Sequence, residues 1–376
     1  MLIRKNIPID ILKNYIDLRT NLFKKLMFFP FVVLCIFSFS NSLIMPINVM
    51  PFLQILNRRL LQLPKLTPGN MICSYSPSNF ASELIHTHRN PKQFLSNNYQ
   101  LFSKQYFRKE ALDILHFMYS NFLGALNSSA SCIDYPEVFK KQFQKVKQWH
   151  YNCQPVFEKC SAQVFYYENG LGFANQAILN YIKDKDFMDI GACNGDSAYI
   201  LREKTKKRIF SYEPNPNNRK SFQETAKYFN FDSKKNILIP YGISNKNEER
   251  YIDLDCRGGS CTSQEIKKSI SSTKFVTIDS EVIRNNMTLG FIKVDVEGFG
   301  LPVFRGGILS FRKYRPVFAF SVYHNCEEMF FLPNLMLTLG NYEFEFQINH
   351  GNPYGVVLDE TIIFAYPSEL LFDMKK

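Results

Sequence analysis

Residues 187–196 read Phe187-Met188-Asp189-Ile190-Gly191-Ala192-Cys193-Asn194-Gly195-Asp196. A short apolar run ends in a turn of glycines and small polar residues, and a helical pattern comes next. Strand, tight turn and helix in that order begin a βαβ unit. Glycines there allow a sharp turn and let the backbone approach a ligand closely. Outward from this stretch the alternation continues. Helices are predicted over 196–206 and 215–230, strands over 208–213 and 236–241, and short extra strands over 249–255 and 275–278. A buried strand covers 291–296, a helix starts near Leu301, and a strand covers 317–323. The last two strands, 342–348 and 360–366, flank a Gly/Asn/Pro loop at 349–359. Such alternation predicts an α/β fold with a doubly wound, mostly parallel, Rossmann-like sheet and an antiparallel C-terminal hairpin.

The region before it reads differently. Residues 58–163 are mostly helical in pattern and form a cap region, and the α/β domain covers 164–376. Over 110–126, Leu112, Ile114, Leu115, Met118, Phe122 and Leu126 share one helical face. A loop is expected at 127–131, a helix with Trp149 at 138–150, and a short strand at 164–167 leading into the core.

Residues 1–57 form a separate apolar segment. No charged residue occurs between Lys25 and Arg58, and residues 27–47 are apolar enough in composition to cross a bilayer as a helix, which takes about 20 residues. Arg4, Lys5, Lys13, Arg19, Lys24 and Lys25 precede it and would keep the N-terminus cytoplasmic. Pro46 and Pro51 suit an interfacial element equally, a buried core helix remains open, and Met27, Met45 and Met50 are alternative starts. The expectation is a cytoplasmic protein with 27–47 as its membrane contact.

Net charge is +11, but Lys and Arg are scattered and no basic arm is present, so nucleic acid is not expected as a partner. The nine cysteines form no CxxC pair and suit a reducing compartment. Cys256 and Cys261 lack the two further ligands that zinc needs, and no metal ligands are assigned.

Two further motifs define the chemistry. Glu213, in Ser211-Tyr212-Glu213-Pro214-Asn215-Pro216, ends the second strand, where an acidic side chain can accept the hydroxyl hydrogens of a ribose. Dinucleotide sites share this geometry but require a glycine at the place of Cys193 to clear the pyrophosphate. S-adenosylmethionine (SAM) has no pyrophosphate, so SAM is the favoured cofactor. Further on, Phe291-Ile292-Lys293-Val294-Asp295-Val296-Glu297-Gly298 puts two carboxylates at a strand end. Residues two apart on a strand share a face, so Asp295 and Glu297 are predicted to look into the crevice together. They read as base, substrate binder or metal ligand, or as a salt bridge to Lys293 or Arg305.

These pieces, with Arg305-Gly306-Gly307, the run 316–324 (PVFAFSVYH) and Asp359-Glu360-Thr361, resemble the FkbM family of SAM-dependent methyltransferases in order and spacing. The resemblance covers about half of the chain. It implies a class I methyltransferase sheet and methyl transfer from SAM, usually to a hydroxyl of a saccharide or a natural product. It also implies that Asp189, Gly191, Asn194 and Gly195, with Asp196, bind SAM and that Glu213 holds its ribose. Asp295, Glu297 and His324 would line the reaction centre, with His324 or Asp295 as base. Many members carry an acidic residue where this chain has Gly300. A saccharide hydroxyl is the expected acceptor. Small natural products or lipids are the second reading, and a degenerate SAM-binding, membrane-associated scaffold is the third.

Overall fold

The computed structural model describes residues 83–103, 109–126, 145–146, 157, 161–254, 270–349 and 360–372. The chain divides into two units, Met1–Pro64 and Lys65–Lys376, and every described residue belongs to the second. The apolar stretch 27–47, the loop 127–131, Trp149, Cys256, Cys261, the loop at 350–358 and Asp359 lie outside the described residues. Among the described residues, no helix is long and apolar enough to cross a membrane.

Ten strands are described: β1 (Asp186–Ile190), β2 (Ile209–Tyr212), β3 (Asn236–Ile239), β4 (Gly242–Ile243), β5 (Glu248–Asp253), β6 (Ile270–Val276), β7 (Leu289–Val294), β8 (Val317–Ser321), β9 (Tyr342–Ile348) and β10 (Thr361–Pro367). Seven of them form one sheet in the order β3-β2-β1-β7-β8-β10-β9, and β4, β6 and β5 form a small second sheet. Within the large sheet, β3, β2, β1, β7 and β8 pair in parallel. β10 is antiparallel to both β8 and β9, so the last strand of the chain slots between its neighbours and β9 forms the edge.

β1 is buried along its whole length, Asp186 and Asp189 included, so it shows no alternation of apolar and polar faces. Its side chains nevertheless divide by the period of two. Met188 and Ile190 join one core with Phe210, Ile292, Val294 and Phe320, while Phe187 joins a second core with Ile209, Phe291 and Val317. Helices cover both faces. Among them are α1 (Pro91–Ser103), α2 (Lys109–Leu126), α3 (Gln176–Ile182), α4 (Asp196–Leu201), α5 (Pro216–Tyr228), α6 (Ile278–Arg284), α7 (Gly300–Arg305), α8 (Ile308–Tyr314) and α9 (Leu332–Leu337).

The N-terminal helices share the first core. Phe102 of α1 meets Phe344 and Phe346 of β9, and Phe122 of α2 meets Phe330. Their apolar face is the one the sequence indicates, with Ile114, Leu115, Met118 and Phe122 all buried.

Two local expectations fail. Residues 164–167, read as a strand from their branched and aromatic side chains, lie instead in a helical turn, Ala162–Phe165, and just beyond its end. Ser161 caps that turn by accepting from Val164 N–H, and Phe165 packs against Phe157 and Tyr199. Residues 277–278 do not extend β6, because Thr277 accepts from Ser280 N–H and starts α6.

Candidate active site

The strand order reverses between β1 and β7, and the crevice outside the carboxyl ends of those strands is where such sheets bind ligands. Every candidate residue but one is delivered to this end: the glycine loop after β1, Glu213 after β2, Asp295 and Glu297 after β7, and His324 after β8.

The loop is bonded into the sheet. Gly191 and Ala192 N–H both donate to Tyr212 O, and Asp295 N–H donates to Ile190 O. Gly191 has φ of 80°, and a Cβ there would collide with the Asp295 carbonyl, so the position admits only glycine. Glu213 is buried and accepts from Cys193 N–H at 2.9 Å and Asn215 N–H at 2.8 Å. Burial pushes its carboxyl pKa up against these two bonds, a third from the Asn218 side chain and the charge of Lys293. Asn194 and Asp196 are half-buried at the loop's rim, where Asn194 Oδ1 accepts from Asp196 N–H at 3.2 Å. Burial raises the Asp196 carboxyl to about 6.

Asp189 is the exception. Expected at the cofactor surface, it is fully buried beneath the loop, with no face open to the crevice. Strand register sets it beside Ser211 on one side and Lys293 on the other. Lys293 Nζ lies 3.2 Å from Asp189 Oδ1 and donates to Gly191 O at 2.8 Å. Burial alone would lower the lysine's pKa, but the surrounding carboxylates outweigh it and keep the ammonium charged. Asp189 thus shapes the loop through Lys293, which the sequence offered only as a salt-bridge partner for Asp295 or Glu297.

Asp295 and Glu297 do converge, though not by strand alternation. β7 ends at Val294, and Glu297 sits at φ of 52° in the turn beyond it. That turn brings Asp295 Oδ1 and Glu297 Oε2 each to 3.4 Å from His324 Nε2. Neither Lys293 nor Arg305 pairs with Glu297 among the described ion pairs. One donor atom each from Asp295, Glu297 and His324 lies within 4.8 Å of the others, a convergence that no spacing in the sequence announced.

The other face of His324 is fixed by Glu328, which sequence reading missed. Its Oε2 lies 3.1 Å from His324 Nδ1, and its Oε1 accepts from Gly300 N–H at 2.6 Å. A Cβ on Gly300 would stand 2.7 Å from that Oε1. The carboxylate of Glu328 therefore takes the space above residue 300, arriving from the π-helical turn Glu327–Phe331. Asn325 steadies it by accepting from Glu328 N–H at 2.8 Å. The available signal was an acidic residue one helical turn after His324 in a run that is otherwise largely apolar.

Charge is distributed unevenly over these groups. Burial disfavours the imidazolium, yet the Asp295 and Glu328 carboxylates outweigh it and hold His324 well above its usual range. Asp295 is depressed, since the imidazolium and Lys293 overcome the effect of burial. Glu297 is raised to about 7, by burial first and with Asp295 and Glu328 adding repulsion. Of the three residues facing the crevice, Glu297 alone has a pKa suited to taking a proton near neutrality.

Residues 189–346 match the family model described as the methyltransferase FkbM domain. No curated protein matches the chain. Among solved structures it is similar to a methyltransferase FkbM from Methylobacillus flagellatus KT, at 16% identity and TM-score 0.47 over 71% of this chain and 58% of that one. It is also similar to a precorrin-6y C5,15-methyltransferase from Geobacter metallireducens, at 14% identity and TM-score 0.32 over 57% and 93% of the two chains. A putative methyltransferase from Streptococcus mutans, solved with SAH, gives 11% identity and TM-score 0.32 over 50% and 92%. The present chain spans less than two thirds of the length of the first of these structures. The matched segment holds the glycine loop, Glu213, the Asp295–Glu297 turn and His324, and over that segment the chain matches the FkbM family of methyltransferases.

Proposed function

We propose that the chain transfers the methyl group of SAM to a hydroxyl oxygen of a saccharide. The observation that carries this reading is the meeting, at one switch point, of the SAM-type loop with a carboxylate–imidazole cluster that can grip and deprotonate a hydroxyl. SAM fits the residues present. Gly191 leaves no room for a side chain, Cys193 stands where a dinucleotide loop needs glycine, and Glu213 is preset by two backbone N–H donors. A crevice lined by Asp196, Asp295 and Glu297 also favours a cationic cofactor.

When bound, SAM supplies an electrophilic sulfonium methyl group. Gly191, Asn194, Gly195, Asp196 and Glu213 would hold it. Glu297 takes the acceptor hydroxyl's proton, its raised pKa being matched to that task. Asp295 stays ionised and accepts a hydrogen bond from the acceptor, which fixes the oxygen's direction. His324 is nearly inaccessible and serves by holding both carboxylates in place. Carboxylates side by side suit the neighbouring hydroxyls of a sugar, which sets the saccharide ahead of lipids and small natural products.

Calorimetric titration of the full chain with SAM and its demethylated product tests the cofactor site. Micromolar binding of both is expected, weakened about 10- to 100-fold in Glu213→Ala by loss of charged hydrogen bonds. Labelled-methyl transfer to sugars, phenols and lipid alcohols then ranks the acceptors. A folded protein that binds neither ligand would be a methyltransferase-shaped scaffold.

A further inference from the structure

We propose that Asp295, Glu297 and His324 bind a divalent first-row cation of the Mn²⁺ type at the acceptor end of the crevice. The first argument is distance. His324 Nε2 lies 3.4 Å from Asp295 Oδ1 and 3.4 Å from Glu297 Oε2. A charged N–H···O hydrogen bond closes to about 2.7–2.9 Å, so each of these contacts is longer than a fully closed ion pair. Two metal–ligand bonds of about 2.1 Å separate neighbouring donor atoms by about 3.0 Å at an octahedral angle and about 3.4 Å at a tetrahedral one. Both imidazole–carboxylate spacings come close to those of atoms sharing a cation, and all three donor atoms lie within 4.8 Å of one another.

The second argument is the support behind the imidazole. Glu328 Oε2 meets Nδ1, while Glu328 Oε1 is held by Gly300 N–H and the Glu328 backbone by Asn325. A carboxylate behind the distal ring nitrogen orients a metal-binding histidine and raises its basicity, and removing such a partner typically weakens metal binding about 10- to 100-fold. Here that carboxylate is 99% buried by side chain, as is the histidine, so Nε2 has one direction available.

The third argument is charge. Asp295, Glu297 and Glu328 surround one imidazole, and once all three are ionised even an imidazolium leaves two negative charges in excess. Lys293 offsets only part of this excess, since its hydrogen bonds go to Asp189 and the Gly191 carbonyl. A divalent cation balances the three carboxylates around a neutral histidine. Two carboxylate oxygens with one imidazole nitrogen suit Mn²⁺ or a metal of like hardness better than thiolate-seeking ions. Asp295 and Glu297 keep 20% and 25% of their side chains exposed towards the crevice, which leaves coordination positions for an acceptor's hydroxyls. That last role rests on the methyl-transfer reading, while binding of the cation does not.

The test uses the full chain, stripped with a chelator and titrated with Mn²⁺ alone. Bound metal is followed by electron paramagnetic resonance, and binding of demethylated SAM is measured on the same samples. About one equivalent is expected to bind. Asp295→Asn and Glu297→Gln should each weaken it more than 10-fold, and Glu328→Gln about 10-fold or more, with cofactor binding kept. Glu297→Gln is near-isosteric and removes charge from a crowded site, so it reports even where another variant folds poorly. Absence of Mn²⁺ binding by protein that binds the cofactor overturns the proposal. So does binding that all three variants retain. Mn²⁺ binding lost in the variants, by protein that ignores the cofactor, would uphold the cation site and sink the methyl-transfer reading.

Discussion

The two ends of the crevice treat buried charge in opposite ways. At the loop end, Asp189 is answered by Lys293, and Glu213 by two backbone N–H groups. At the acceptor end, three carboxylates share one imidazole, and Glu297 is left close to a neutral-range pKa. A satisfied charge builds a scaffold, and an under-compensated one is held ready for a proton or a cation. Substitutions that remove charge should therefore loosen the first end and relax the second.

The sharpest test is Glu297→Gln. A kcat loss of about 10²- to 10⁴-fold is expected, the usual worth of a general base. The same change should stabilise the fold. A glutamate raised from 4.5 to about 7 by folding contributes stability below pH 4.5 that is lost as pH rises through about 7. In chelator at pH 8, the variant should melt at least about 2 °C above the parent, with the gap closing towards pH 4.5. Equal melting at both pH values would remove the contrast between the ends.

Lys293→Met should do the reverse. It strands the fully buried Asp189 without its cation, and breaking such a pair costs about 3–5 kcal/mol, readable as a lower urea midpoint. The variant should also bind SAM less well, because Gly191 O loses its donor. A stable variant with an intact cofactor site would show that the pair is incidental.

Gly300→Ala is the mildest. Its Cβ would press on Glu328 Oε1 and tilt the support of His324, at a cost of about 1 kcal/mol. A lower kcat with nearly unchanged SAM affinity would place that support at the acceptor end alone. Equal losses in both would mean that the two ends are mechanically linked.

Much of this arrangement is legible in the amino-acid sequence alone. The strand–turn–helix at Asp189–Asp196 and the acidic end of β2 identify the sheet type and point to the edge proposed for the cofactor, because turn chemistry and apolar period are local properties. β9 has the bounds its pattern indicates, and β2 and β3 lose only a residue or two at their ends. Local signals mislead at 164–167, where side chains typical of strands pack as a helical turn. They also give the right meeting of Asp295 and Glu297 for the wrong reason, since a left-handed backbone at Glu297 does the work assigned to strand alternation.

The amino-acid order by itself determined the doubly wound sheet, the glycine loop and the residues at the strand ends. Only tertiary structure decided what their charges are. Asp189 and Lys293 are far apart in the chain and meet because β1 and β7 pair in that register. Glu328 reaches Gly300 N–H because the π-helical turn carrying it packs against α7. A carboxylate's pKa depends on which charges and dipoles surround it and on how much water they exclude, and both are set by packing between segments distant in sequence.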